Sequence, residues 1–129
     1  MKSQLHVLLL VACLALSKAG AQQMIVPPYL QPGNASNLMR ERKVLIWHTD
    51  SIPADYKVEY GIGPTVEGME KPSTAKITAV QLKIYNSPTL LHRAQLTGLK
   101  FDELYSYRVS RNGTTIAESS FRTRTKKPQ

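Results

Sequence analysis

The chain has 129 residues, a formal net charge of +8 and a single cysteine. That length accommodates one domain, and one cysteine excludes a disulfide framework and any cluster of thiolate metal ligands. The positive charges are spread along the chain rather than gathered into a stripe, which argues against a nucleic-acid-binding surface.

Met1 to His6 is followed by an apolar run from Val7 to Leu16, then Ser17-Lys18 and the small residues Ala19-Gly20-Ala21. An early positive charge, about ten apolar residues and a small-x-small end form the pattern of a secretory signal peptide. Cleavage is expected after Ala21, with Ala19 and Ala21 as the small residues of the site. The run falls short of the roughly 20 apolar residues a bilayer span needs, so no transmembrane segment is expected. Leu10-Val11-Ala12-Cys13 offers a competing reading as a lipoprotein box, with a lipid on Cys13. Removing 21 residues leaves 108, without cysteine, and losing Lys2 and Lys18 lowers the formal charge from +8 to +6. The expected domain runs over residues 22–124, with 125–129 as a basic tail or truncated linker. A domain of this size buries roughly two-thirds of its unfolded surface, and core packing alone must hold it. A secreted or periplasmic location is the corresponding expectation.

Ile25 to Gly33 carries Pro27, Pro28 and Pro32. A proline lacks the donor a central strand needs, so this segment reads as an extended edge ending in a turn at Pro32-Gly33-Asn34. Asn37 to Glu41 has loop or weak helical character. Lys43 to Asp50 is rich in β-branched and apolar residues and reads as a strand. Leu45 and Trp47 share one face, and Val44, Ile46 and His48 the other. Trp47, the only tryptophan, is placed at the centre of the core. Tyr56, Val58 and Tyr60 alternate with Lys57 and Glu59 as a half-buried strand, which Gly61-Ile62-Gly63-Pro64 ends. Glu67 to Ser73 reads as a polar loop. Lys76 to Ile84 alternates in either phase, and Asn86-Ser87-Pro88 reads as a turn.

His92, Ala94 and Leu96 then alternate with Arg93 and Gln95, and Tyr105, Tyr107 and Val109 with Ser106 and Arg108. Leu99, with Tyr105 six residues on, has the spacing of a tyrosine corner, where the ring packs inward and the hydroxyl bonds the upstream main chain. Asn112-Gly113 between two strands signals a tight hairpin. The return strand runs to Thr123, with Phe121 inward. About seven short strands with turn signals and no amphipathic helix predict an all-β, immunoglobulin/fibronectin-type-III-like β-sandwich. Its expected core is Leu45, Trp47, Tyr56, Val58, Tyr60, Leu96, Leu99, Tyr105, Tyr107, Val109 and Phe121.

Chemistry is scarce in this pattern. His48 with Asp50, and His92 elsewhere, offer metal-ligating side chains, but a site needs three or four converging groups. Both histidines read instead as strand residues. Asp55, Glu59, Asp102 and Glu103 fall in turns or on outward strand positions and read as solvated charges. Ser119 and Ser120 have no histidine and carboxylate patterned beside them as a triad requires. Asn34-Ala35-Ser36 and Asn112-Gly113-Thr114 are formal glycosylation sequons that also serve as turns. No catalytic and no metal-ligating residue is expected.

The order Pro28-Tyr29-Leu30-Gln31, Trp47-His48-Thr49-Asp50, Val58-Glu59-Tyr60-Gly61, His92-Arg93-Ala94-Gln95-Leu96-Thr97-Gly98-Leu99, Tyr105-Ser106-Tyr107-Arg108-Val109 and Ser120-Phe121-Arg122-Thr123 resembles the N-terminal, fibronectin-type-III-like domain of purple acid phosphatases. The similarity spans residues 25 to 124, although that family usually has Pro-Gly-Thr where this chain has Phe101-Asp102-Glu103. The resemblance implies acid phosphatase activity and metal binding at the level of the family, in a metallophosphoesterase domain that would follow this one with a two-metal, iron-containing centre. The metal motifs of that domain, such as Gly-Asn-His-Asp/Glu and Gly-His-x-His, do not occur here. The expectation is a non-catalytic accessory module that binds no cofactor and partners a metallophosphoesterase domain or chain, with no nucleic acid. The alternative is a free-standing extracytoplasmic binding or adhesion module.

Overall fold

The chain forms eight strands in the computed structural model, which describes residues 22–32, 40–84 and 86–126. They are β1 (Met24–Pro32), β2 (Glu41–Asp50), β3 (Tyr56–Ile62), β4 (Glu70–Thr74), β5 (Lys76–Ile84), β6 (Ser87–Leu99), β7 (Leu104–Arg111) and β8 (Thr114–Arg122). They form two four-stranded sheets in the orders β1-β2-β6-β5 and β4-β3-β7-β8. Every neighbouring pair is antiparallel. The expected all-β sandwich is thus observed, with no helix among the described residues. The expected signal peptide with Cys13, Ala19 and Ala21, the turn at Gly33-Asn34 and the last three residues of the tail lie outside them.

Three local readings are corrected. Glu70 to Thr74, overlapping the segment Glu67 to Ser73 read as a polar loop, is strand β4, whose five side chains are all exposed. It is held by main-chain pairing to β3, with Glu59 opposite Thr74, and so leaves no apolar alternation to read. Glu41 is the first residue of β2 rather than part of a loop. The turn expected at Asn86-Ser87-Pro88 also sits one step earlier, because Ile84 pairs with Ser87 and Asn86 adopts φ 65°. Pro88 escapes the usual objection to a central strand because β2 ends opposite Thr89, so Pro88 pairs with β5 alone.

Opposed residues in a ladder share a face, so the register assigns each side chain to the interior or the outside. Leu45 lies opposite Ala94, and Val58 opposite Val109, all with no exposure. With Trp47, Tyr60, Leu96, Leu99, Tyr105 and Tyr107 they fill the space between the sheets, while Tyr56 and Phe121 are half-buried against that cluster. Burial of this kind contributes about 1.5–3 kcal/mol per large aliphatic side chain.

The chain crosses from the first sheet to the second after β6, and two tyrosine hydroxyls grip that crossing. Tyr60 donates to the Thr97 carbonyl at 2.9 Å, and Tyr105 accepts from the Lys100 N–H at 2.9 Å. Gly98, between them, has φ +68°, where glycine carries no Cβ penalty. Tyr105 therefore makes the corner bond its spacing predicts. At the far end Asn112 and Gly113 take φ 50° and 82°, the pair of positive values a two-residue hairpin needs.

Candidate protein-interaction face

His48 and His92 are on opposite sides of one sheet. His92 faces inward opposite Trp47 and stacks on its ring, with centroids 5.1 Å apart and planes 5° from parallel. Tyr56 lies tilted against both rings, 4.8 Å from His92 and 5.1 Å from Trp47. His92 Nε2 meets Thr49 Oγ1 at 2.8 Å, and that hydroxyl donates to the Asp50 carbonyl, so the ring supplies the N–H. Burial holds the His92 pKa below the ordinary histidine value, and the nearby His48 adds to the effect.

His48 points outward, opposite Leu91, and its Nε2 meets Thr89 Oγ1 at 2.8 Å. The Thr89 hydroxyl donates onward to the Leu82 carbonyl at 3.1 Å. Asp50 uses its carboxylate to accept from the Gln23 and Ile52 main-chain N–H groups. These side chains serve main-chain and threonine partners and do not converge. Among the described residues no three His, Cys, Asp or Glu side chains are grouped as a metal site requires. The donor set does not fit a two-metal centre.

Of Asp55, Glu59, Asp102 and Glu103, two use their carboxylates in ion pairs and two are held by their main chain. Glu59 pairs with Arg108 at 3.0 Å and Lys57 at 3.8 Å, and Asp102 reaches Arg122 at 3.5 Å. Asp55 and Glu103 are tied through their main-chain N–H groups, to Asn112 Oδ1 and Thr123 Oγ1. Ser119 and Ser120 are exposed on β8, opposite Tyr107 and Ser106. Sequence reasoning missed Glu41, which is buried and accepts from the Arg124 main-chain N–H. Its partner is 83 positions away, so no local signal could have found it.

What the fold does assemble is an apolar outer face. One row across the first sheet reads Val26, His48, Leu91 and Val80, and the next reads Tyr29, Ile46, Arg93 and Thr78. Ile46 and His48 are buried although they point away from the core, because their neighbours on this face cover them. Leu82 and Ile84 continue the face along β5. Val26, Tyr29, Val80, Leu82 and Ile84 are five of the seven exposed large apolar side chains among the described residues. The outer face of the second sheet is charged and polar, with Lys57, Glu59, Arg108 and Glu118 at its centre. Exposed apolar side chains concentrated on this side, around Arg93 and Thr78, make it the candidate contact surface.

No helix among the described residues is long and apolar enough to cross a membrane. A family model described as the purple acid phosphatase N-terminal domain matches residues 31–123. No curated protein matches the chain in a sequence comparison.

Proposed function

The chain belongs to the purple acid phosphatase N-terminal domain family, and from that premise we propose that it is the non-catalytic accessory module of an exported metallophosphoesterase. On this reading the chemistry and the iron-containing metal pair reside in a separate domain or chain, and this one binds no metal. The observation that carries the reading is the family match, which runs over nearly all of the sandwich. The outward Ile46, Leu91 and Val80 support it, since a partner docking there would remove apolar surface from water. The imidazoles of His48 and His92 support it too, because they point to opposite sides of their sheet and do not converge.

The test is hydrolysis of p-nitrophenyl phosphate by the purified chain, with metal analysis of the same sample. The expected result is no turnover above buffer and no stoichiometric iron or zinc. Mixing with a purple acid phosphatase catalytic domain should give co-elution that Val80→Lys weakens. Turnover by the chain alone would overturn the proposal.

A further inference from the structure

The first sheet ends at β5, and among the described residues nothing pairs the outer edge of that strand. An unpaired edge presents main-chain donors and acceptors to any passing strand, and proteins usually blunt it with prolines, bulges, short length or charge. The other three edges are treated in this way. β1 has three prolines and two register shifts. β4 has five residues, Pro72 and a positive φ of 43° at Lys71. β8 carries a register shift between Thr115 and Ala117 and presents Glu118, Ser120 and Arg122 outward.

β5 differs from all of them. It pairs β6 over nine consecutive residues, from Lys76 opposite Gln95 to Ile84 opposite Ser87, without a shift. It contains no proline and no residue with positive φ. Its outward side chains Val80, Leu82 and Ile84 are 48%, 39% and 39% exposed. The only charges on the strand are Lys76 and Lys83.

We propose that this edge pairs with the same edge of a second copy, antiparallel, about a two-fold axis at Val80. The strand complements itself in that register. Val80 meets Val80, Thr78 meets Leu82 and Ala79 meets Gln81. Each lysine then crosses to an isoleucine, Lys76 to Ile84 and Lys83 to Ile77, so the two charges that would guard the edge never oppose one another. Side chains directly opposite in a ladder decide the pairing, and a strand of this length gains about eight main-chain hydrogen bonds across the axis. The two sheets become one eight-stranded sheet, and the apolar outer faces run together while staying open to a further partner. A two-fold contact of this kind is closed and stops at the dimer.

Sedimentation equilibrium of the full chain over a range of loading concentrations should show a reversible monomer–dimer equilibrium. Val80→Lys and Val80→Glu, at a half-exposed site that the fold tolerates, should each weaken the dimer about tenfold. An equimolar mixture of the two variants should restore it. With Cys13→Ser removing the native thiol, Val80→Cys should oxidise to a covalent dimer, because opposed Cα atoms in a ladder are about 4.5–5.5 Å apart, within disulfide range. Lys83→Cys should not, since its two copies would be roughly 20 Å apart in this register. A chain that stays monomeric at the highest loading would overturn the proposal. So would a dimer that ignores Val80→Lys, or one that cross-links at Lys83→Cys and not at Val80→Cys.

Discussion

Glu41 and Arg124 tie the start of β2 to the segment after β8 across 83 positions of sequence. Glu41 opens β2 and Arg124 lies just past β8. The Arg124 main-chain N–H donates to Glu41 Oε2 at 2.5 Å and its Nε to Oε1 at 3.2 Å, while a terminal guanidinium nitrogen donates to the Arg40 carbonyl. The carboxylate is almost wholly buried, while the guanidinium is 40% exposed and lies over the Phe101 ring. Because Arg124 is partly solvated, the ion pair itself contributes little. The buried hydrogen bonds to main chain contribute more.

Glu41→Ala should therefore lower stability by about 1–3 kcal/mol, through the main-chain donors it strands. Arg124→Ala should cost less, because its main-chain N–H remains to bond Glu41. Urea unfolding of both variants checks this ranking through the midpoint at constant slope. Equal midpoints would place the energy in the exposed ion pair instead.

Trp47→Ala should cost about 3–5 kcal/mol, because the emptied volume lies between sheets that cannot close over it. That is a large part of a typical 5–15 kcal/mol. Trp47→Phe should cost distinctly less. It keeps a ring against His92, and Trp47 Nε1 has no hydrogen-bond partner among the described residues to lose. Far-UV circular dichroism against denaturant measures both.

Tyr105→Phe removes the acceptor from the Lys100 N–H and should cost about 0.5–1.5 kcal/mol. Tyr29→Phe, on the exposed outer face, should stay within about 0.5 kcal/mol of the parent. A thermal scan that found the two changes alike would mean the corner hydroxyl does not hold the crossing.

His92 makes stability depend on pH in a stated direction. Its folded pKa lies below the ordinary histidine value of about 6.5, so between the two values the unfolded chain holds more protons than the folded one. Stability then rises with pH through that window, and it is lost as pH falls from 6.5 toward the folded pKa. Burial is the main cause of the lowered pKa, with a smaller electrostatic contribution from His48. His92→Phe should flatten the slope between pH 7 and pH 5, as read from urea midpoints across that range. A slope unchanged by the substitution would assign it elsewhere.

Local pattern was enough for much of this. Alternation placed Leu45, Trp47, Val58 and Val109 on inward faces, and prolines kept β1 at an edge. Asn112-Gly113 announced a hairpin, and the interval from Leu99 to Tyr105 announced the corner. Each of these signals acts within a few residues and reports the conformation of its own segment. β4 sent no such signal, because exposed side chains on a main-chain-paired strand have no apolar period to show. The phase of β5 was equally open, since an edge strand leaves both its faces partly wet.

The two-layer β architecture and the family were thus determined by the order of residues alone, because side-chain period and turn chemistry are properties of adjacent positions. Which strands became edges, which outer face stayed apolar and how Glu41 found Arg124 were decided only in three dimensions. Those features depend on pairings between segments far apart in the chain, and whether a side chain such as Ile46 or His48 is covered depends on the neighbours those pairings bring.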